Sequence, residues 1–468
     1  MSKPIQVHNI ETLEIKSHVS DKIYTRSFKG VFRRLRIGGG ALLFLLYFGT
    51  VWLTWNQRQA VLWDLSAKKF HIFSSTFWPQ DLVLLSPILI VCAFGLFFLT
   101  VWAGRVWCGY TCPQSAWMWI FMWVEKISEG DRNQRKKLDR APTSLQKVYK
   151  RFKKHGLWLL ISVVTAVTFV GYFTPIRELV PSLLTFQAGE WATFWVFFFT
   201  LATYLNAGWL REKVCLHMCP YGRFQSSMLD KDSLVISYDV DRGEARGARS
   251  SGLDYKAEGL GDCVDCQMCV QVCPTGIDIR VGLQMECIGC AACVDACDSV
   301  MEKMGYETGL IRYTSERELS GGPLKIVRPR LVGYGAVLIA MIITLIWAIV
   351  SRPLVSLDIA KDRGLYRLNT QGEVENSYTL KVINKSHQNR RYNVSVKGLE
   401  GLNLIGPAYV SLNPGEQLAF PLSVSVASDA LKFDVTDIAF YLTQIGQEDS
   451  NLMSTSRFMG PLNNHRKY

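Results

Sequence analysis

Charge is missing from five stretches of this 468-residue sequence: 37–55, 82–104, 157–174, 191–210 and 331–350 contain no Asp, Glu, Lys or Arg. A hydrocarbon core of about 30 Å takes roughly 20 helical residues, so these runs exclude an ordinary soluble protein and predict five transmembrane helices. A cleavable signal is also missing. The N-terminus is polar for its first thirty residues, and the first apolar run is span-length with no small-residue cleavage site behind it, which predicts a retained anchor. Cysteine is absent after Cys297, so no disulfide can staple the C-terminal part of the chain. Histidine is scarce, and His387 and His465 sit in no motif.

What is present orients these runs. Trp52, Trp55, Trp102, Trp191, Trp209 and Trp347 lie near their ends, where interfacial indoles belong. Lys22, Arg26, Lys29, Arg33, Arg34 and Arg36 precede the first run, and Arg132, Arg135, Lys136, Lys137, Arg140, Lys147, Lys150, Arg151, Lys153 and Lys154 fill the loop 105–156. The loops 56–81 and 175–190 are poorer in basic residues. Lys and Arg collect on the cytoplasmic side, so the N-terminus and residues 211–330 are expected in the cytoplasm of a bacterial cell and everything after residue 350 in the periplasm. This bias explains the net charge of +12 without nucleic acid as a partner. Membrane lipid is the expected one.

The implied domains are a cytoplasmic segment 1–36, a four-span membrane domain 37–210, a cytoplasmic domain 211–330, a fifth span 331–350 and a periplasmic domain 351–468. In the last, apolar residues alternate: Tyr378, Leu380, Val382; Tyr392, Val394, Val396; Leu422, Val424, Val426. Asn384-Lys385, Asn413-Pro414-Gly415 and Gly446 punctuate them. Period two with regular turns predicts a β-sandwich, read as a structural or partner-docking module.

Eight of the thirteen cysteines form two runs, Cys263-x2-Cys266-x2-Cys269-x3-Cys273-Pro274 and Cys287-x2-Cys290-x2-Cys293-x3-Cys297. Short gaps bring three thiolates of one loop to three corners of a cubane, and the fourth cysteine ligates the other cluster. Cys263, Cys266, Cys269 and Cys297 are thus expected to hold one [4Fe–4S] cluster, and Cys273, Cys287, Cys290 and Cys293 a second, in a ferredoxin-like α+β module at about 255–305. Zinc also uses C-x2-C pairs, but not two runs of four at this spacing. Asp298 stands where proline usually follows the last cysteine. Asp262, Asp265, Glu286, Asp295 and Asp298 surround the ligands and are expected to lower the potentials.

Four more cysteines lie at span ends. Arg105 precedes Cys108-Gly-Tyr-Thr-Cys112-Pro113, and Arg211 precedes Cys215-Leu-His-Met-Cys219-Pro220; short helices are expected at 115–127 and 223–229. The placement reads as a duplicated helical hairpin that brings four thiols to one face. Pro113 and Pro220 suit the first position of a helix, which puts Cys112 and Cys219 at helix N-termini, where a thiol pKa falls. Soft thiolates, with His217 and Met218, suit Cu(I); a disulfide pair, a further iron–sulfur or zinc site, and packing stay open. Cys92 reads as a packing residue, His71 as an exposed histidine within reach of copper or quinol, and the stripe of Met118 and Met122 among Trp117, Trp119 and Trp123 as a lipid-facing surface.

With these motifs in place, the chain resembles the cytochrome c oxidase accessory proteins called CcoG, FixG or RdxA. The resemblance is carried by Gly261-Asp262-Cys263, by Pro274-Thr275-Gly276-Ile277-Asp278-Ile279-Arg280, by Gly282-Leu283-Gln284-Met285-Glu286-Cys287, and by Met304-Gly305-Tyr306 with Gly309-Leu310-Ile311-Arg312-Tyr313. It implies an immunoglobulin-like terminal domain. It also implies a cupric reductase that converts Cu(II) to Cu(I) for assembly of a cbb3-type oxidase, with copper-handling proteins and oxidase subunits as partners and quinol or a cytoplasmic reductase as electron donor. A quinol-linked membrane ferredoxin without copper and an assembly scaffold are the alternatives.

Overall fold

The computed structural model describes residues 22–250, 254–323, 325, 327–351, 353–386, 388–431, 433–446 and 451–461; His387 and His465 lie outside these, as does most of segment 1–36. The chain divides into two compact units, one built mainly from residues before Ile346 and the other from Ile346 onward.

The first unit begins with α1 (Val31–Thr50), α2 (Leu85–Ala103), α3 (Val106–Tyr110), α4 (Pro113–Glu129), α5 (Arg132–Arg140), α6 (Leu145–Val170), α7 (Ile176–Leu184), α8 (Glu190–Thr203) and α9 (Pro220–Met228). A ferredoxin-like part follows, with α10 (Val240–Gly243), α11 (Met268–Gln271), α12 (Ala292–Met304) and α13 (Glu316–Leu319); then comes α14 (Pro329–Val350). In the ferredoxin-like part, strand Val235–Tyr238 pairs antiparallel with Ile311–Thr314.

Among the described residues, three helices are long and apolar enough to cross a membrane: Asp81–Ala103, Leu145–Val170 and Pro329–Val350. The apolar stretches of the first and third are wholly unburied by protein, so their surface calls for lipid, and the chain is membrane-associated. The other two expected spans differ for local reasons. Arg33, Arg34 and Arg36 occupy the first two turns of α1. The run 191–210 leaves α geometry at Thr203 and continues as a π-helical segment, Tyr204–Leu210. Such π turns favour functional sites, and this one leads into the second C-x3-C-P motif.

Buried charge joins α4 to its neighbours. Fully buried Glu125 accepts from Arg135 at 2.6 Å and also pairs with Arg211. Burial would raise its pKa, but Arg211 and then Arg135 hold it below the usual carboxylate range. One turn on, Glu129 pairs with Lys154 at 2.9 Å. Removing one partner of such a buried pair costs about 3–5 kcal/mol, so α4, α6 and the π segment are locked in one register.

In the second unit, Asn403–Ile405, Gln417–Val426, Val374–Asn384 and Val355–Lys361 form one sheet, with Arg367–Leu368 beside Val374–Asn384; Tyr409–Leu412, Arg390–Lys397, Val435–Gln444 and Asn451–Met459 form the other. The alternating residues point inward as expected. Tyr378, opposite Leu422 in its own sheet, stacks edge-on against Phe440 of the other at 5.1 Å. At one end, the Asn384 amide donates to the carbonyls of Leu412 and Asn413, and Gly415 N–H donates to Asn384 O. The two turns thereby hold each other, and the unit is an immunoglobulin-like sandwich.

Candidate iron–sulfur and cysteine site

The two cysteine runs have one backbone. Asp265 and Gln267 in the first loop have φ of 50° and 55°, and Gly289 and Ala291 at the same places in the second have 65° and 55°. Alternating left-handed residues turn successive N–H groups toward a common point, the geometry of an anion-binding nest. The second of these residues is the N-cap of the helix that follows each loop, α11 or α12.

The thiols sort into two neighbourhoods. A small cavity is lined by Cys273, Cys287, Cys290 and Cys293 with Cys269, among Ile236, Ile277, Ile279 and Ile288. Cys297 feels the charges of Cys269, Cys266 and Cys263. Burial pushes Cys269 and Cys287 up to about 12, and it raises Cys273, Cys293 and Cys297 as well. Thiols grouped in apolar surroundings would be neutral by themselves, and a cationic iron–sulfide core would make them thiolates. The donor set therefore fits [4Fe–4S] clusters. Among the described residues, no three His, Cys, Asp or Glu side chains are placed to hold a single metal ion. For the two runs this is consistent with a cubane, whose ligands bind separate irons at its corners.

Four of the five acidic residues around the ligands have hydrogen-bond or ion-pair partners. Asp262 meets Arg242 and Tyr255, and Asp265 meets Arg280. Asp295 accepts from the N–H groups of Phe32 and Arg33. Asp298 accepts from Gly309 N–H at 2.9 Å; Glu286 is exposed. The position of Asp298 explains the missing proline. α12 runs unbroken through it to Met304, and a proline there would remove an interior helix hydrogen bond.

After the apolar runs 82–104 and 191–210, Cys112 and Cys219 are the N-caps of α4 and α9, with Pro113 and Pro220 at the first helical positions. All four thiols lie in one neighbourhood: Cys108 feels the charges of Cys112, Cys215 and Cys219. Burial pushes Cys108 up to about 12 and Cys215 to about 11, the opposite of an activated thiol. Gln225 joins the two halves. Its Oε1 lies 3.7 Å from the Cys108 thiol, and its Nε2 donates to Gly104 O and Tyr221 OH. Tyr221 and Gln225 were not read from the sequence, although they stand one helical turn apart just after Cys219-Pro220.

Three expectations are corrected. Met118 and Met122 do not face lipid; they are buried with Phe28, Val272, Ile288 and Cys290 against the cluster loop, because periodicity cannot tell a lipid contact from a protein one. Cys92 does not pack in the protein; it is exposed on α2. The two arginines are not equivalent. Counting back from Cys108 and Cys215, Arg211 matches Gly104, and both have positive φ, 46° and 59°. His71 is half-buried on the strand Lys69–Ile72 beside Arg58, and its pKa falls to about 4 through burial and the Arg58 charge.

The first motif lies against the second cluster loop. A Cβ on Gly109 would stand 2.6 Å from Gly289 O and 2.9 Å from Cys290 Cα. Arg105 donates to the carbonyls of Met285 and Cys287, the latter at 2.7 Å, and to Gly222 O at 3.0 Å. Tyr313 OH donates to Gly289 O at 2.6 Å and lies 3.3 Å from Tyr110 OH.

Comparison with known proteins agrees with this architecture. Residues 210–316 match the 4Fe-4S dicluster domain family, and residues 345–461 match the IG-like fold at the C-terminal of FixG, putative oxidoreductase. The nitrogen fixation protein FixG of Rhizobium meliloti is 36% identical over 416 residues, 81% of this chain and 79% of that protein. Protein RdxA of Cereibacter sphaeroides is 36% identical over 445 residues, 91% of this chain and 94% of that protein. A crystal structure of a FixG-related protein from Vibrio parahaemolyticus is 37% identical, covering 24% of this chain and 100% of that one with a TM-score of 0.23. The chain belongs to the FixG/RdxA family, membrane-associated iron–sulfur proteins of electron transfer.

Proposed function

We propose that this chain is a cupric reductase of the bacterial inner membrane that supplies Cu(I) for assembly of a cbb3-type cytochrome c oxidase. It has five spans in this reading, an N-terminus in the cytoplasm and the immunoglobulin-like domain in the periplasm. Cys263, Cys266, Cys269 and Cys297 hold one [4Fe–4S] cluster, and Cys273, Cys287, Cys290 and Cys293 the other. Electrons from quinol or a cytoplasmic reductase pass through them to Cu(II), the substrate, at Cys108, Cys112, Cys215 and Cys219. His217 and Met218 are further ligands. The observation that carries the reading is the contact of Gly109 with Gly289 and Cys290, which sets a soft, four-thiol site directly beside a cluster loop.

The test is a Cu(II) titration of anaerobically purified, dithionite-reduced protein after desalting, followed by electron paramagnetic resonance and a Cu(I)-specific chelator. Loss of the reduced-cluster signal with matching appearance of Cu(I) is expected. Changing Cys215 and Cys219 to Ser should abolish both. Unchanged copper binding and reduction in that variant would remove the proposal.

The alternative is a quinol-linked electron-transfer subunit without copper. Oxidation of the reduced clusters by a quinone analogue, with none by Cu(II), would select it.

A further inference from the structure

We infer that the two halves of the four-cysteine site have different tasks: electrons enter through the first motif from the cluster on Cys273, Cys287, Cys290 and Cys293, with Arg105 as positioning residue, and the metal enters through the second. This rests on the cupric-reductase reading and goes beyond it by ordering the carriers and assigning the halves.

The first half is the one that touches a cluster loop. Gly109, between Cys108 and Cys112, has backbone of Gly289 and Cys290 where a side chain would begin. Gly289 is crowded in return, since a Cβ on it would lie 2.9 Å from Arg105 Cβ. The Arg105 guanidinium fastens the contact through Cys287 O, and through Gly222 O it reaches the second half as well. Cys290 shares a packing cluster with Met118, Met122 and Cys108, whereas Cys263, Cys269 and Cys297, with Cys293 against them, pack in another around Ile236 and Met301. Electron tunnelling weakens steeply with distance, so the cluster bound in part by Cys290 is the one that delivers.

The second half is open instead. His217 and Met218 are exposed, Met218 at 63%. Arg211 turns away from the cluster loop to Glu125 and Gly208 O. Imidazole suits Cu(II) and thioether suits Cu(I), so adjacent His217 and Met218 provide a ligand for each oxidation state on a face that the protein leaves uncovered.

Each event moves one electron. Thiols that bind copper would first release their protons to solvent; the near cluster would then give up one electron and one Cu(II) would become Cu(I). The far cluster then refills the near one and is itself refilled by a one-electron reductant, for which dithionite stands in.

The experiment uses the full-length, anaerobically purified protein. Arg105→Met should shift the potential of one cluster to a more negative value, because a nearby positive charge favours the reduced state. The other potential should stay, and single-turnover oxidation by copper sulfate should slow at least tenfold. Cys266→Ala, which removes the far cluster, should still deliver one electron to Cu(II). Cys290→Ala, which removes the near one, should not. His217→Ala should raise the copper concentration for half-maximal rate about tenfold. If wild-type clusters are not oxidised by Cu(II), the reductase reading and this route fall together. Equal delivery by the two single-cluster variants would overturn the route alone. So would an Arg105→Met variant in which neither potential moves, a measurement that holds even if Cys290→Ala assembles no cluster.

Discussion

The carboxylate of Asp295 fills the space a Cβ on Gly30 would occupy, and its oxygens accept from Phe32 N–H at 3.1 Å and Arg33 N–H at 2.7 Å. A residue between two cluster ligands thus caps the first helix of the chain, so the ferredoxin-like part is docked on α1 through a helix terminus. Asp295→Ala should cost about 0.5–2 kcal/mol and lower the melting temperature followed by iron–sulfur absorbance, with iron content unchanged.

Restoring the proline usual in ferredoxin runs should do harm here. Asp298→Pro interrupts α12 between Cys297 and Met304 and removes the bond to Gly309 N–H. A loss of about 3 kcal/mol or more follows. Spin counting of the reduced protein should find the signal of the cluster that uses Cys297 weakened more than the other.

Glu125 is the sole carboxylate between Arg135 and Arg211 among the ion pairs described for those residues. Glu125→Gln leaves two guanidinium groups buried without a counter-charge, which should cost about 3–5 kcal/mol. Thermal unfolding in detergent would measure this, and a fall much smaller than that would mean water enters the site.

The thiols of the two C-x3-C-P motifs give a pH test. In metal-free protein Cys108 and Cys215 sit near 12 and 11, so only a small thiolate fraction exists at neutral pH. Alkylation at these two positions, followed by mass spectrometry, should speed up about tenfold per pH unit through the alkaline range. Cu(I), by displacing the protons, should instead protect them at neutral pH.

Much of this was legible because it is local. Ligand spacing reports a loop of a few residues, and the left-handed pairs at 265 and 267 and at 289 and 291 repeat as the cysteines do. Alternation in the terminal domain gave its core for the same reason. What could not be read depends on distant parts of the chain meeting. Nothing in the sequence near Gly109 announces Cys290, and nothing around Met118 and Met122 tells which neighbour covers them. The apolar run 191–210 reads as one helix, since composition does not register the change to π geometry at Thr203. The arginines at 105 and 211 read as a pair in the sequence, whereas backbone conformation aligns Arg211 with Gly104.

Gly289 and Asp265 hold the same place in twin loops, but a Cβ on Gly289 would lie 2.9 Å from Arg105 Cβ, whereas the Asp265 side chain is exposed and meets Arg280. One place has room for a side chain and the other has none. A library randomised at both codons and selected for growth that depends on the protein should return varied amino acids at 265, with Asn and Asp enriched, and glycine alone at 289.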